Sequence, residues 1–368
     1  MTNKFLSFIS PMFILPIRPS ISLLEILLYS FLAFVIALAL TKPFLSFLHR
    51  YRLGKQLRVE AVDGGSASVF LTYHQKKAGT PTMGGILIWG SIVLTVLLSR
   101  LFSYFGTVDH SLLQRGQVYI PLAMLLGFGI LGAIDDYFNI NGMGKNRGLN
   151  AMHKLLCLLA MSTLAACWFY FRLNYQSIHI PFGTSIGLMS SEWQLGWLYI
   201  PVFLFVVIGT ANAVNVTDGL DGLASGLLII AFTAFGVTAY VSGLYVLAAF
   251  CGVTVGAIAA FLWHNVPPAL FFMGDTGSLA LGGTLAVMAF MINQVLILPI
   301  IGFVFVIEML SVILQLTSKK YFKRKIFISA PLHHHLEALD WGESKVTMRL
   351  WIVGIFFAFL GVLVGIYG

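Results

Sequence analysis

Apolar residues run through this chain in blocks separated by shorter polar segments. Ten windows stand out, at 21–41, 86–105, 118–134, 154–171, 197–214, 223–241, 245–263, 276–293, 295–316 and 350–367. A bilayer core about 30 Å thick takes roughly 20 apolar residues per helix. Backbone left unpaired in lipid costs several kcal/mol per group, so each window is predicted to be helical. Very short turns join 223–241 to 245–263 and 276–293 to 295–316, which predicts two helical hairpins. The expected fold is therefore all-α, a single polytopic membrane domain with about ten transmembrane helices. The apolar run at 5–15 is broken by Pro11, is followed by Pro16 and lacks a small-residue cleavage site. It reads as an interfacial lead-in rather than a signal peptide. An external loop near 172–196 contains Ile178-His-Ile-Pro-Phe-Gly183, which predicts a short β-hairpin.

Composition agrees with this reading. Of 368 residues, 58% are hydrophobic and only 10% charged, against about 25% charged in soluble domains. So few charges could not cover a water-soluble surface. The three cysteines, Cys157, Cys167 and Cys251, lie in apolar stretches and offer neither a disulfide framework nor metal-ligand spacing. The net charge of +8 could suggest a nucleic-acid partner, but its distribution is topological. Loops 42–85, 138–154 and 317–349 carry 7, 3 and 7 basic residues, 17 of the 22. The other side and its span ends carry Lys4, Arg18, Arg100, Arg115 and Arg172. The positive-inside rule places the three basic loops in the cytoplasm, with the shorter turns 215–222 and 264–275, and both termini in the periplasm. Such loops also attract anionic membrane lipids and phosphate. No nucleic-acid partner is expected.

That topology was drawn from lysine and arginine alone, yet it gathers acids at one depth. Asp135 and Asp136 fall at the inner end of the third window, and Asp218 and Asp221 follow the fifth. Asp275 lies between the seventh and eighth, and Glu308 in the inner half of the ninth. Acids in lipid are costly and mark function, so these are expected to form one site at the cytoplasmic face. Adjacent carboxylates such as Asp135 and Asp136 repel each other unless a cation or a helix N-terminus neutralises them. In Asn212-Ala-Val-Asn215-Val-Thr-Asp218-Gly-Leu-Asp221-Gly, polar groups recur every third residue, which aligns them on one helical face.

Phe271-Phe272-Met-Gly-Asp275-Thr-Gly-Ser278 opens a span, where backbone N–H groups suit phosphate. Asp275 would repel that phosphate unless a hard divalent ion such as Mg²⁺ bridged them. Lys76-Lys77-Ala-Gly79-Thr80-Pro81-Thr82-Met83-Gly84-Gly85 combines lysines with a Gly/Thr-rich turn suited to a diphosphate, without the ending of a Walker loop. His333-His334-His335, with Glu337 close behind, can meet phosphate or a base, or move protons near neutral pH.

Taken in order, these segments and Asp135-Asp136-Tyr137 resemble the phospho-N-acetylmuramoyl-pentapeptide transferase (translocase I) family over nearly the whole chain. Five motifs in register are specific where any one would not be. The resemblance implies transfer of a phospho-sugar-peptide from UDP-N-acetylmuramoyl-pentapeptide to undecaprenyl phosphate, giving lipid I and UMP. It also implies Mg²⁺ dependence and a homodimer in the bacterial inner membrane. It puts the Mg²⁺ ligand on Asp275, acid/base or nucleophilic roles on Asp135 and Asp136, and catalytic-loop roles on His333 and His334. Substrate contacts would fall on Lys76, Lys77, Thr80, Thr82, Lys154, Asn212, Asn215, Asp218, Asp221, Asn265, Phe272, Glu308, Gln315 and His335. One position departs from the pattern. Where the family has Asp-Asp-x-x-Lys, the fifth residue here is Asn139, with Lys145 and Arg147 nearby as alternative cations.

A transporter would also carry intramembrane acids, but near the midplane and along a path to both faces. A sister transferase using UDP-N-acetylglucosamine would share the aspartates, and the Thr-Pro-Thr-Met-Gly-Gly and His-His-His segments favour the muramoyl substrate. The Asp-Gly-x-x-Ala-Arg signature of CDP-alcohol phosphotransferases is missing.

Overall fold

The computed structural model describes residues 21–54, 77, 79–106, 111–113, 116–143, 148–183, 185 and 190–368. The lead-in at 5–15, Lys76, Lys145 and Arg147 lie outside the described residues. The helices are α1 (Leu23–Arg50), α2 (Gly85–Tyr104), α3 (Tyr119–Ile140), α4 (Ala151–Cys167, continued by a π turn), α5 (Tyr199–Thr217) and α6 (Leu223–Val241). They continue with α7 (Tyr245–Asn265), α8 (Asp275–Met291), α9 (Leu298–Ile301), α10 (Phe303–Phe322), α11 (Leu332–Glu337) and α12 (Glu343–Tyr367). The expected hairpin exists but is wider than its sequence cue. Strand β1 (Ser177–His179) pairs antiparallel with β2 (Glu192–Gln194), Ile178 opposite Trp193.

Among the described residues, eight helices are long and apolar enough to cross a membrane, and a bent pair would make nine. The chain is a multi-pass membrane protein. The window 295–316, expected to be one straight span, is broken. Val295–Ile301 and Phe303–Phe322 meet at 81°. Gly302, which ends α9 and begins α10, is the break, and glycine is among the weakest helix formers. The window at 276–293 is the apolar 17-residue helix α8, shorter than the eight candidate spans. It lies at the centre of the bundle. Every residue from Thr276 to Met291 is buried, with α3 and α5 packed along it. Close approach is possible because Gly277 meets Gly85 of α2, where an added methyl would overlap backbone. Small residues at such crossings let helix backbones come together where lipid supplies no hydrophobic drive.

Several helices outrun their apolar windows. Helix α1 continues through Pro43 to Arg50, α3 runs on to Ile140, and α12 starts at Glu343, well before 350. Glu25, an acid inside the first window, closes a capping box with Ser22 and belongs to the start of α1. The overhanging turns of α3 and α12 carry Asp135, Asp136 and Glu343.

Candidate active site at one end of the bundle

Successive helices run in opposite senses, so α3, α5 and α7 finish where α4, α6, α8 and α12 begin. At that end the predicted residues meet. Lys154, in the first turn of α4, hydrogen-bonds Asp135 Oδ2 at 3.1 Å and also donates to Asp275 Oδ2. Asp135 Oδ1 accepts from the Leu149 backbone N–H at 2.6 Å. Asn215, near the end of α5, donates to Asp275 Oδ1 and to the Ser278 hydroxyl, both at 2.8 Å. The structure thus brings Asp135, Lys154, Asn215 and Asp275 into one cluster from four helices. The cation of this cluster is Lys154; Lys145 and Arg147, the alternatives to a lysine at position 139, lie outside the described residues.

Asp136 points elsewhere. Its two oxygens accept from the backbone N–H groups of Asp275 and Thr276, each at 3.1 Å. It caps the start of α8, whose first N–H groups have no helical partner of their own. Gly274 precedes them at φ +76°, and any side chain there would run into Asp136 and Thr82.

A second cluster adjoins the 215–222 turn. Lys77 lies between two carboxylates, 2.6 Å from Asp221 and 2.5 Å from Glu343, with its ammonium 5.9 Å from the centre of the Phe272 ring. Glu343 also accepts from the Asp221 N–H at 2.7 Å, and Asp221 Oδ2 from Ala269 N at 2.9 Å. The turn after Lys77 is pinned to the segment before α8: Gly84 and Gly85 donate to the carbonyls of Phe272 and Met273, and Phe272 donates to that of Pro81, all at 2.8 Å. Thr82 is buried in this seam and its N–H donates to Leu53, while the Thr80 N–H donates to Lys77.

Other predicted residues hold the backbone around these clusters. Asn265 accepts from Gly222 N and Ser225 Oγ, both at 3.1 Å, and donates to Phe271 O. The Asn212 amide turns back onto Ile208 O in its own helix. Asp218 closes the end of α5, its N–H donating to Val214 and Asn215. Gln315 ties down the chain after α10 through three bonds with Ile326 and Phe327, and His335 accepts from Ile328 N in the same region. His333 is fully buried against Glu308, and His334 bonds Glu337 at 2.7 Å. Glu343 is the residue that sequence reasoning passed over. Its only signal was an acid just after Trp341-Gly342, at the start of a helix, where acids are commonplace.

The pattern of matches to known proteins follows this geometry. The sequence model of glycosyl transferase family 4 matches residues 118–293, which contain Asp135, Lys154, Asn215, Asp221 and Asp275. Signature 1 of phospho-N-acetylmuramoyl-pentapeptide-transferase matches residues 77–88. A phospho-N-acetylmuramoyl-pentapeptide-transferase from Halalkalibacterium halodurans is 41% identical over 337 residues, covering 92% of this chain and 96% of the relative. Those of Geobacillus sp. (strain WCH70) and Bacillus anthracis are 42% and 41% identical, each over 91% of this chain and 96% of their own length. The chain belongs to the phospho-N-acetylmuramoyl-pentapeptide-transferase family. The family signature coincides with the turn pinned to Phe272 and Met273, so the segment that marks membership also sets Lys77 beside Asp221. The family 4 match stops short of Glu308, His333 and Glu343.

Proposed function

We propose that this chain transfers phospho-N-acetylmuramoyl-pentapeptide from its UDP-linked precursor to undecaprenyl phosphate, giving lipid I and UMP, as a homodimer with its site facing the cytoplasm. The observation that carries the reading is the meeting of Asp135, Asp275, Lys154 and Asn215 beside the Lys77–Phe272 pair. It supports a centre that handles phosphate next to an aromatic and a cation suited to a nucleotide. Relatives bearing the transferase name over almost their full length point the same way.

In the proposed reaction an oxygen of the lipid phosphate bonds to the β-phosphorus of the nucleotide. The bond from that phosphorus to the bridging oxygen breaks, and UMP departs with the oxygen. Both reactants are anions, so neutralisation and alignment dominate. The donor set fits Mg²⁺: Asp275 and Asp135 present hard oxygens already gathered around one cationic atom, Lys154 Nζ. Among the described residues no three His, Cys, Asp or Glu side chains form a complete cage. This suits an ion held by one or two carboxylates, with phosphate oxygens and water completing its shell. Bound there, the ion would neutralise charge on the diphosphate and the leaving group. Lys77 binds the nucleotide's phosphates, Phe272 offers a face to the base, and Asn215 holds Asp275 in place.

Direct attack is favoured over a covalent enzyme intermediate. Lipid phosphate is already largely ionised at neutral pH, and both Asp135 and Asp136 have their oxygens engaged. The decisive assay offers radiolabelled UDP-N-acetylmuramoyl-pentapeptide and UDP-N-acetylglucosamine separately with undecaprenyl phosphate. Lipid product from the first alone is expected, and product from the second alone would move the chain to the sister activity. In the same assay Asp275→Asn should abolish turnover in folded protein. Retention of more than about a tenth of the activity would remove Asp275 from the metal role, because losing such a ligand costs several kcal/mol.

A further inference from the structure

Glu308 and His333 have no exposed side-chain surface. One carboxylate oxygen of Glu308 accepts from His333 Nδ1 at 3.0 Å and from the His333 backbone N–H at 3.3 Å. A carboxylate without a partner would be very costly at such a depth, so this contact fixes α11 onto α10. The far edge of the ring rests on Gly219, and a methyl added there would overlap Nε2, Cε1 and Cδ2. Among the described residues Nε2 has no hydrogen-bond partner. Gly219 lies between Asp218 and Asp221, in the turn that receives Lys77 through Asp221.

We infer that Glu308 and His333 form a positioning pair: the carboxylate aims the imidazole through Nδ1, and the ring seats the 215–222 turn by its contact with Gly219. Neither residue touches substrate. The ring serves as a spacer of fixed length between α10 and the turn. Gly219 is required because only a residue without Cβ admits the ring edge.

The kinetic arm of the test rests on the proposed transfer reaction; the thermal arm does not. Glu308→Leu combined with His333→Phe keeps a ring against Gly219 but no atom that can move a proton, whereas His333→Asn keeps a donor near the position of Nδ1 and withdraws the ring. If the ring is the spacer, the Glu308→Leu/His333→Phe protein releases UMP within about tenfold of the parent rate, while His333→Asn loses about 100-fold or more. A folded Glu308→Leu/His333→Phe protein as inactive as His333→Asn would overturn the inference, because chemistry at a ring nitrogen would then be required.

The second arm uses thermal midpoints of the detergent-solubilised full chain. Gly219→Ala should lower the midpoint in the parent, and by no more than about half as much in a His333→Ala background, since contacting sites are not additive. Equal drops in both backgrounds would overturn the contact. A parent that releases no UMP would defeat the transfer reading, and the thermal cycle would then decide the positioning role alone.

Discussion

Asp135 and Asp136 are adjacent, yet their surroundings predict opposite responses to the same substitution. Asp136 spends both oxygens on the first two N–H groups of α8 and is 7% exposed. Losing an N-cap costs about 1 kcal/mol, up to about 2. Here two buried donors would lose their acceptors, at about 1–3 kcal/mol each. Asp136→Ala should therefore destabilise the protein by roughly 2–4 kcal/mol once water recovers part of the loss. Its effect on turnover would be indirect but large. Asp275 is the first residue of the capped helix, and a displacement of about 1 Å at a reacting centre can cost about 100-fold.

Asp136→Asn separates capping from chemistry. The carboxamide keeps one acceptor oxygen for Asp275 N–H or Thr276 N–H but can neither take up a proton nor carry charge. A cap predicts that Asn recovers at least half of the stability lost in Ala, with turnover well above that of Ala. A base or nucleophile predicts two equally dead enzymes. The assay is the thermal midpoint of solubilised protein beside the rate of UMP release. Asn and Ala variants that both keep the parent midpoint and both lack turnover would refute the capping argument.

Lys77→Met should raise KM for the nucleotide by about 10- to 100-fold, the worth of one charge-assisted hydrogen bond of about 1.5–3 kcal/mol, as read from initial rates at varied nucleotide. Lys154→Ala removes the ammonium between Asp135 and Asp275 and should cost up to about 3 kcal/mol, the low end for a buried pair. Added Mg²⁺ should then raise the thermal midpoint more than it does in the parent; an equal response would separate the metal from this cluster. Topology can be read with single-cysteine probes. An impermeant maleimide applied to intact spheroplasts should label Ser190→Cys and spare Lys345→Cys, and the reverse would place the active end outside.

The spans were legible because lipid demands long apolar runs whatever the function, and eight helices match windows drawn on that demand alone. Where helices continue past the apolar core, hydropathy is silent. The last turns of α3 and the first of α12 are helical through contacts with neighbours, and Asp136 and Glu343 sit there. The break at Gly302 was hidden for the same reason, since apolar residues continue on both sides of it. Topology gathered the acids at one end, where the structure sets Asp135 and Asp275 on Lys154 and Asp221 on Lys77, but neither topology nor spacing ranks Asp135 against Asp136. Successive residues on a helix point about 100° apart, so one carboxylate faces Lys154 and the other faces α8.

Both clusters repeat one device, an ammonium set between two carboxylates: Lys154 between Asp135 and Asp275, and Lys77 between Asp221 and Glu343. Each pairing holds two chain segments together, yet each leaves an excess negative charge. With Asp136 alongside, the α8 end carries three carboxylates against one ammonium. The α8 dipole, worth about half a charge, is already taken up by Asp136. Such a surface repels a diphosphate and a lipid phosphate alike. A monovalent ion would leave it negative, whereas a divalent ion at Asp275 would bring it near neutrality without separating Lys154 from Asp135. On the proposed function, stability and substrate binding would compete for the same charges, and a divalent cation would relieve that competition.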